Sequence, residues 1–362
     1  MNICIIGMNL TGLILSKALA NIGCSVHVFQ TNKKKSNFST RTIGISKSNF
    51  DFINNNIVPL NKKKFHNIKK IRIFSNNKDE IIKFYNNGDN LFSLIELNKF
   101  SSIFYNNLKS NKLFKLKNFN ETHFKNTSFK EDFNLIINCE KDNFLNRKYF
   151  SKKFKKKYDS IAYTALLYHK KTKNFEAKQY FTNIGPLAFL PITSKITSVV
   201  LSAYNNRRVD DQYFKNFILK FFKDLKVKKF SHFQKAKLNF SLARKYYFKN
   251  ILLFGDGLHQ IHPLAGQGFN MTLRDLKILL NIIQKKIDNG LEVDSSCLKD
   301  FEETTKSKNF IFSEGINFIQ DFFKFKRSLK ENRLDQIIKK IRKNKKVNSF
   351  LIKTADKGIS AF

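Results

Sequence analysis

Residues 2–30, which read NICIIGMNLTGLILSKALANIGCSVHVFQ, decide the fold. Residues 3–6 form a short apolar run that ends at a glycine, which is typical of a buried strand. Residues 10–21 place leucine and alanine at helical spacing and are followed by Gly23, a common helix stop. Residues 25–29 form a second strand-like run. Because a strand, a helix and a second strand in this order lie in a parallel sheet, the stretch predicts a β-α-β unit.

The turn between the first strand and the helix reads Gly7-Met8-Asn9-Leu10-Thr11-Gly12. In dinucleotide-binding folds a G-x-G-x-x-G turn at this place brings a pyrophosphate to the unpaired N–H groups of the helix N-terminus. Here Asn9 replaces the middle glycine, and asparagine tolerates left-handed φ better than most residues. Gln30 replaces the acidic residue that usually binds the ribose. The turn predicts a nucleotide site at Gly7, Asn9, Gly12 and Gln30, with an ordinary β-α-β turn as the alternative.

A second glycine-rich stretch, residues 255–270, reads GDGLHQIHPLAGQGFN. Asp256 follows an apolar strand-like run, where its carboxylate can accept hydrogen bonds from sugar-alcohol hydroxyls. Gly266 and Gly268 leave bare backbone for a flat ring, and the helix predicted from Asn270 points its positive end at that ring. Reduced flavin carries negative charge, so this pattern favours FAD over a purely structural loop. The candidate cofactor-binding residues are Gly255, Asp256, Pro263, Gly266, Gln267, Gly268, Phe269 and Asn270.

Two histidines in this stretch, His259 and His262, invite a metal site with Asp256. The surrounding prolines and glycines argue against a helix that presents both rings on one face. We therefore expect them to pack or to form hydrogen bonds, and no metal site is predicted.

The middle of the chain changes to strand-like alternation. The predicted strands lie at residues 161–167, 179–181, 187–190 and 196–203, and they indicate a mostly antiparallel sheet. The other predicted elements are helices at 94–108, 212–226 and 270–287, strands at 133–137 and 251–254, and a basic surface segment or linker at 141–158. The order predicts a discontinuous FAD-binding domain (1–65, 91–155, 245–295), a substrate-binding sheet domain (66–90, 156–244) and C-terminal helices (296–362).

Lysine and arginine number 67 against 28 acidic residues, a formal net charge of +39. Lys, Asn, Ile and Phe are all over-used and all have A/T-rich codons, so compositional bias accounts for much of this charge. An anionic membrane surface is the alternative partner, whereas no nucleic-acid motif accompanies the charge and no specific nucleic acid is expected. The scattered cysteines predict free thiols. These features predict a cytoplasmic protein, with a peripheral position on the inner face of the membrane as a further expectation.

Three stretches resemble the FAD-dependent aromatic hydroxylases, and most closely their ubiquinone-biosynthesis monooxygenase branch. Residues 262–275, HPLAGQGFNMTLRD, match that branch's H-P-x-A-G-Q-G-x-N-x-x-x-R-D. Residues 177–191, AKQYFTNIGPLAFLP, are similar to A-x-x-x-F-T-x-x-G-P-x-A-x-L-P. Residues 40–46, TRTIGIS, are similar to the arginine-containing stretch near the flavin, which adds Arg41 to the expected cofactor-binding residues. The resemblance implies a p-hydroxybenzoate hydroxylase-like α/β fold: a Rossmann-like FAD-binding domain, an inserted antiparallel sheet and a helical C-terminus.

The resemblance also implies an activity: an FAD-dependent monooxygenase that hydroxylates the ring of a prenylated phenol in ubiquinone biosynthesis, with O2, through a flavin C4a-hydroperoxide. NAD(P)H is the implied transient electron donor. No catalytic residue is nominated, because such a protein works by positioning its reactants and excluding water. The substrate wall is expected at residues 189–191, against residues 263–268.

One departure keeps alternatives open. The family has an A-D-G-x-x-S-x-x-R stretch midway, whereas residues 138–147 here read NCEKDNFLNR and lack its D-G pair. The alternatives are a related flavoprotein oxidoreductase acting on another isoprenoid or aromatic substrate, and a non-catalytic flavoprotein-like subunit of the biosynthetic complex.

The C-terminal helices are both basic and partly apolar. They carry Phe318, Phe322, Phe323 and Phe325 beside Lys324, Lys326 and Arg327. We expect these helices either to pack on the FAD-binding domain or to rest on an anionic bilayer near other ubiquinone-biosynthesis proteins.

Overall fold

The computed structural model of the chain describes residues 1–30, 41–75, 80–85, 90–125, 132–204, 209–221, 226–263, 266–326, 353–354 and 356–358. Its helices are α1 (Leu10–Asn21), α2 (Lys47–Asn56), α3 (Leu97–Leu108), α4 (Glu121–Lys125), α5 (Phe144–Tyr149), α6 (Asp211–Leu219), α7 (Gln267–Asp288) and α8 (Ser295–Lys326). Its strands are β1 (Asn2–Ile6), β2 (Ser25–Gln30), β3 (Thr42–Ser46), β4 (His66–Ile68), β5 (Lys70–Phe74), β6 (Glu80–Tyr85), β7 (Phe92–Glu96), β8 (Phe114–Asn118), β9 (Leu135–Asn138), β10 (Lys153–His169), β11 (Glu176–Phe181), β12 (Pro186–Thr193), β13 (Ile196–Tyr204), β14 (Val227–Phe230), β15 (Gln234–Ala243), β16 (Tyr247–Phe248), β17 (Ile251–Leu253) and β18 (His259–Gln260).

The predicted β-α-β unit is the centre of a six-stranded sheet with the order β16-β17-β9-β1-β2-β8. Its strands run parallel except for the edge strand β16. Every residue of β9 is buried, as expected for a strand that is covered on both faces. The carboxyl ends of β1, β9 and β17 therefore lie side by side, and the Rossmann-like sheet is confirmed.

The second sheet is mostly antiparallel, as predicted. Its strands follow the order β18-β15-β10-β13-β12-β11-β5-β6, and β14 pairs with β10. Among the strand pairs that the structure describes in this sheet, only β11–β5 is parallel. Helix α6 covers one face, where Phe214 and Ile218 pack into a core with Tyr163 and Leu201.

A small third sheet, β3-β7-β4, joins the two larger parts. Its residues Ile68, Phe92 and Leu94 share a core cluster with Ala177 of β11, and Leu190 of β12 packs against that cluster. This packing holds Gly44 of β3 beside the beginning of α7, where the glycine-rich stretch ends.

Three predicted boundaries were wrong. The helix expected at 94–108 begins at Leu97, because residues 94–96 complete the buried strand β7. The helix expected from 270 begins at Gln267, and the helix expected over 212–226 ends at Leu219. The basic segment 141–158 is a surface segment, one of the two expected alternatives, and not a linker: it includes α5 and the beginning of β10, where Lys155, Lys156 and Lys157 are exposed and Tyr158 is buried.

Two further observations concern the whole described part of the chain. All four cysteines are buried free thiols, as predicted. None of the helices in the described ranges has the length and apolar content needed to cross a bilayer.

Candidate cofactor-binding site

Asn9 closes the N-terminus of α1 in a way that the sequence did not predict. Its backbone is extended, with φ −88°, rather than left-handed. Its side-chain oxygen accepts the Gly12 N–H at 3.0 Å, and its amide nitrogen donates to the Cys139 carbonyl at 2.8 Å. The N–H groups of Leu10 and Thr11 have no partner among the described residues. Since Asn9 takes only one of the free N–H groups of this helix end, the turn can still bind an anion.

The two glycines of this turn have the close contacts that the motif requires. Gly7 has φ +111°, and a Cβ at Gly12 would lie 2.0 Å from the Gly7 carbonyl oxygen. No other residue type fits at Gly12 without moving the strand-to-helix turn. A Cβ at Gly7 would lie 2.9 Å from a carboxylate oxygen of Glu140, which follows β9. A carboxylate therefore stands over the turn.

A buried asparagine cluster holds Glu140 in place. The Asn138 amide donates to the side-chain oxygens of Asn143 and Asn146 at 3.2 and 3.1 Å. Asn143 caps α5 and donates back to Asn138 at 2.8 Å. Asn146 donates to the carbonyls of Glu140 and Lys141 at 2.8 and 2.6 Å. The stretch without the D-G pair thus has its own hydrogen-bond network, which ties the end of β9 to the beginning of α5.

The turn after β17 lies directly beside the first turn. Gly255 has φ +62°, and a Cβ there would lie 2.9 Å from the Thr11 methyl group. The next residue, Asp256, is exposed. Lys153 donates to the Gly257 carbonyl at 2.8 Å, and burial lowers the pKa of this amine. The Gly7–Gly12 turn and Asp256 therefore follow two strands, β1 and β17, that flank β9 in the sheet, which the sequence alone did not establish.

Asn270 clamps the beginning of α7 to β3. It is fully buried, and its side-chain oxygen accepts from the Ser46 N–H at 2.8 Å and from Asn49 at 3.0 Å. Its amide donates to the carbonyls of Gly44 and Gly266 at 2.8 and 3.1 Å. Because all four hydrogen bonds go to the protein, Asn270 positions the site rather than offering a free group to a ligand.

Gly266 provides the bare backbone that was expected for a flat ring. It has φ +65° at the N-cap of α7, and the atoms nearest to an added Cβ are backbone atoms of Gly44 at 3.9 and 4.0 Å. Gln267 follows Gly266 in α7, and Thr42 lies two residues before Gly44 on β3. Their buried side-chain amide and hydroxyl have no hydrogen-bond partner in the described part of the chain. Buried polar groups without partners are rare, so these atoms fit a polar ligand such as a flavin.

The remaining predicted residues are more dispersed. Gln30 ends β2 and pairs with Asn118 of β8, on the far side of β1 from Asp256. Arg41 is exposed just before β3, and Pro263 is exposed before the helix. Phe269 packs edge-to-face on Phe100, with ring centroids 6.3 Å apart, so it supports the core rather than the cofactor opening.

The expected substrate wall at residues 189–191 is wrong in part. Phe189 points to the opposite face of the sheet, where it packs with Tyr180 and Phe221. Leu190 packs toward the third sheet instead. Adjacent residues of a strand face opposite ways, so only one side of this segment can border the site.

Both histidines of the glycine-rich stretch are buried. Nε2 of His259 lies 2.8 Å from Asp275, whose two carboxylate oxygens also accept from Asn309 of α8 at 3.2 Å. This confirms the expected hydrogen-bonding role of His259. His262 packs edge-on against Tyr158, and burial lowers the pKa of its ring from 6.5 to about 4. In the described residues, no three His, Cys, Asp or Glu side chains converge as a metal site would require.

A C-terminal contact was missed by the sequence reasoning. The Asp356 carboxylate accepts the Ser48 N–H at 2.9 Å, and its carbonyl accepts from the hydroxyls of Ser46 and Ser48 at 3.1 and 3.0 Å. Gly358 packs against the guanidinium of Arg274, and burial lowers the pKa of Arg274 to about 10. Asp356 thus binds the segment that joins β3 to α2, and Gly358 packs against Arg274 of α7. No motif in the sequence marks such a contact.

Comparison with known proteins agrees with this geometry. Residues 165–293 match the family model described as "FAD binding domain". The chain is 28% identical over 194 residues to the mitochondrial ubiquinone biosynthesis monooxygenase COQ6 of Mus musculus, which covers 42% of this chain and 41% of that protein. It is 30% identical over 146 residues to 3-demethoxyubiquinol 3-hydroxylase of Escherichia coli, which covers 38% and 37%. The chain thus matches less than half the length of these curated relatives.

The fold comparison extends over nearly the whole chain. The p-nitrophenol 4-monooxygenase PnpA from Pseudomonas putida superimposes with a TM-score of 0.76 at 11% identity, covering 97% of this chain and 96% of that one. Klebsiella pneumoniae HpxO, complexed with FAD and uric acid, gives 0.71 at 9% identity, covering 100% and 97%. The p-hydroxybenzoate hydroxylase-like fold and the resemblance to the FAD-dependent aromatic hydroxylases are confirmed.

Proposed function

We propose that this chain, as a relative of the FAD-dependent ubiquinone hydroxylases, is a monooxygenase that hydroxylates the ring of a prenylated phenol. One observation carries the proposal: the turns that follow β1 and β17 meet at one edge of the parallel sheet, where Gly255 packs against Thr11, and Gly266 leaves bare backbone opposite Gly44 of β3. The names of the curated relatives support the substrate class.

Different residues of the site would bind different parts of FAD. The N–H groups of Leu10 and Thr11 would bind the pyrophosphate, and Gln30 would lie toward the adenosine ribose. Asp256 would accept hydrogen bonds from the ribityl hydroxyls. Gly266 and Gln267 would border the ring, with Arg41 at the entrance.

When bound, FAD supplies the two-electron chemistry by which O2 is activated for transfer to an electron-rich ring. The protein's own residues orient the reactants and exclude water. Asn270 ties β3 to α7, and Leu190 lies on the face of the sheet that packs against β4 and β7. His262 is neutral at physiological pH because its burial disfavours the charged form.

We propose that residues 1–65, 91–155 and 245–295 form the domain that binds the cofactor and that residues 66–90 and 156–244 form the domain that binds the substrate. Residues 296–362 form the C-terminal helices. The pairing of β5 and β6 with β11 supports the assignment of most of 66–90 to the substrate half.

Partners follow from the substrate class. A prenylated phenol dissolves in lipid, so an anionic membrane surface and other ubiquinone-biosynthesis proteins are proposed partners. A cytoplasmic protein on the inner face of the membrane fits this proposal. NAD(P)H is the proposed electron donor.

A second candidate, a non-catalytic flavoprotein-like subunit, is favoured by the loop at Asn138–Asn146, where a fixed carboxylate replaces the D-G pair. A single experiment separates the two. We expect purified protein to show a flavin spectrum that NAD(P)H bleaches, and a prenylated phenol to gain one oxygen by mass. A flavin that NAD(P)H leaves oxidised, with no product, would favour the subunit, and protein that takes up no FAD would refute both.

A further inference from the structure

Near its C-terminus the chain returns to the elements that form the proposed flavin site. Beyond α8 the structure describes residues 353–354 and 356–358. The side chains of the phenylalanines expected at the surface within residues 322–325 lie outside the described part of the structure. Asp356 binds the turn between β3 and α2, and Gly358 packs against α7. We call Asp356 and Gly358 the C-terminal clasp, because together they contact both of these segments.

Helix α2 takes its N-terminal cap from the C-terminal clasp. Its own N-cap residue, Ser46, makes no side-chain capping bond, and its first turn contains no acidic residue. The Asp356 carboxylate instead accepts the Ser48 N–H at 2.9 Å. The Asp356 carbonyl oxygen accepts the hydroxyls of Ser46 and Ser48 at 3.1 and 3.0 Å. A carboxylate at a helix N-terminus satisfies a free N–H group and interacts favourably with the helix dipole, so Asp356 stabilises the beginning of α2.

The turn that Asp356 caps is also bound by Asn270. The Ser46 N–H donates to the Asn270 side-chain oxygen at 2.8 Å, while the Ser46 hydroxyl donates to Asp356. The Asn270 amide in turn donates to the carbonyls of Gly44 and Gly266 at 2.8 and 3.1 Å. A continuous chain of hydrogen bonds therefore leads from Asp356 to the two glycines that face each other with bare backbone.

Gly358 forms the second contact of the C-terminal clasp. It has φ +73°, and a Cβ there would lie 2.9 Å from Nε of Arg274 on α7. The Arg274 guanidinium lies over the Phe312 ring of α8, 4.4 Å from its centroid. Burial lowers the pKa of Arg274 to about 10, and the charges of Asp275 and Asp356 oppose this shift. A larger residue at 358 would have to displace Arg274, so the clasp fits closely on α7 as well as on α2.

We propose that the C-terminal clasp positions the flavin site by holding β3 and α7 in the arrangement that binds the cofactor ring. This inference rests on the proposed function. A ring that binds between Gly44 and Gly266 requires β3 and α7 to be held together, and the clasp contacts both. Because the clasp and FAD favour the same arrangement, each strengthens the binding of the other by the same factor. Asp356 is thus a positioning residue, which acts through Ser46 and Asn270.

FAD titration of Asp356→Ala tests the proposal. The substitution removes the capping carboxylate and leaves the backbone carbonyl in place. Loss of an aspartate cap weakens a helix end by a factor of about five, so the Kd for FAD should rise by up to about fivefold. Asp356→Asn should keep the Kd within about twofold, because an amide oxygen can still accept the Ser48 N–H and asparagine caps helices about as well as aspartate.

Asp210→Ala is the matched control. Asp210 is the N-cap of α6, where its carboxylate accepts the Tyr213 N–H at 2.6 Å. Helix α6 packs on the second sheet through Phe214 and Ile218. The control therefore loses the same kind of cap as Asp356→Ala at a helix that provides no residue of the proposed FAD site. It should lose a similar amount of thermal stability and should bind FAD like the unaltered protein.

Hydrogen exchange measured by mass spectrometry adds a readout that a general loss of stability does not change. In the unaltered protein, FAD should slow exchange in peptides that contain residues 46–50 and residues 356–358, because FAD and the clasp stabilise one another. This protection by FAD should be smaller in Asp356→Ala and complete in Asp210→Ala.

Several results would overturn the proposal. Asp356→Ala could bind FAD as tightly as the unaltered protein, Asp210→Ala could lose as much affinity, or Asp356→Asn could lose as much as Asp356→Ala. FAD could also leave exchange at residues 356–358 unchanged. Each of these results, with normal FAD uptake by the unaltered protein, refutes the role of the clasp alone. No FAD uptake by the unaltered protein refutes the proposed function and the role of the clasp with it.

Discussion

Glu140 is the residue whose placement most affects the proposed nucleotide site. Its carboxylate lies over Gly7, the first residue of the turn that leads to Leu10 and Thr11. The side chain places an acid where the two phosphates of FAD are proposed to bind. Neither the overall charge nor the glycine motif predicts this.

Glu140→Gln is expected to tighten FAD binding. The change removes a like-charge repulsion of about 1 kcal/mol, which corresponds to a roughly fivefold lower Kd. Titration of flavin fluorescence measures it, with Glu303→Gln on the exposed side of α8 as the control. A higher Kd in Glu140→Gln would mean that the carboxylate binds a cofactor hydroxyl instead.

His262 is expected to make the fold sensitive to acid. Burial lowers the pKa of its ring from 6.5 to about 4 in the folded chain. Below pH 6.5 the unfolded chain takes up a proton that the folded chain does not. The stabilisation is therefore complete above pH 6.5 and is lost as the pH falls toward 4, by about 3 kcal/mol in total.

Replacement by a ring that does not titrate should remove this dependence. In His262→Phe the free energy of unfolding should fall less between pH 6.5 and pH 4 than in the unaltered protein, as measured by urea unfolding. His232→Phe, at an exposed position, serves as the control. Parallel acid curves for the unaltered protein and His262→Phe would refute the assignment.

Among the helices and strands, α7 is useful for a test because a glycine with left-handed φ flanks it at each end. Gly266 precedes it with φ +65°, and Gly290 follows it with φ +67°. Only the first end faces the proposed ring site, since Asn270 ties it to β3. Substitutions at these two glycines therefore separate the effect of backbone strain from the effect on ligand binding.

Gly266→Ala and Gly290→Ala should cost the fold similar amounts, about 1–2 kcal/mol each, because each places a Cβ at positive φ. Only Gly266→Ala should also weaken FAD binding, since its methyl group enters the bare opening. Thermal unfolding and FAD titration of both variants check this. Equal FAD affinity in the two variants would place the ring elsewhere.

The described part of the molecule contains two large sheets and a small third one, and the proposed FAD site draws residues from the turns after β1 and β17, from β3 and from α7. A ligand that contacts all of these elements stabilises their arrangement as a unit. FAD at one hundred times its Kd should therefore add about 2.7 kcal/mol to the free energy of unfolding.

The expected readout is a rise of a few degrees in the unfolding temperature with FAD, and a smaller rise with riboflavin, which lacks the pyrophosphate. An equal response to the two compounds would show that Leu10 and Thr11 do not take part. No response to either compound would contradict the FAD site itself.

Local sequence determined much of this protein. The strand-helix-strand unit of residues 2–30 appeared as predicted, with α1 at the expected Leu10–Asn21, because its apolar periodicity and glycine stop act over a few residues. The 262–275 motif likewise predicted the cofactor class. Helix starts were less certain, since Gln267 joins α7 only through the cap geometry of Gly266.

The tertiary structure alone decided which residues meet. Glu140 over Gly7, Asp356 on Ser46 and Ser48, and Asn270 between Gly44 and Gly266 all join segments far apart in sequence. The same holds for α8, whose helical periodicity does not say which side faces inward until β10 and α7 pack against it. Such contacts depend on the pairing of distant strands and helices, and no short-range pattern in the chain encodes that pairing.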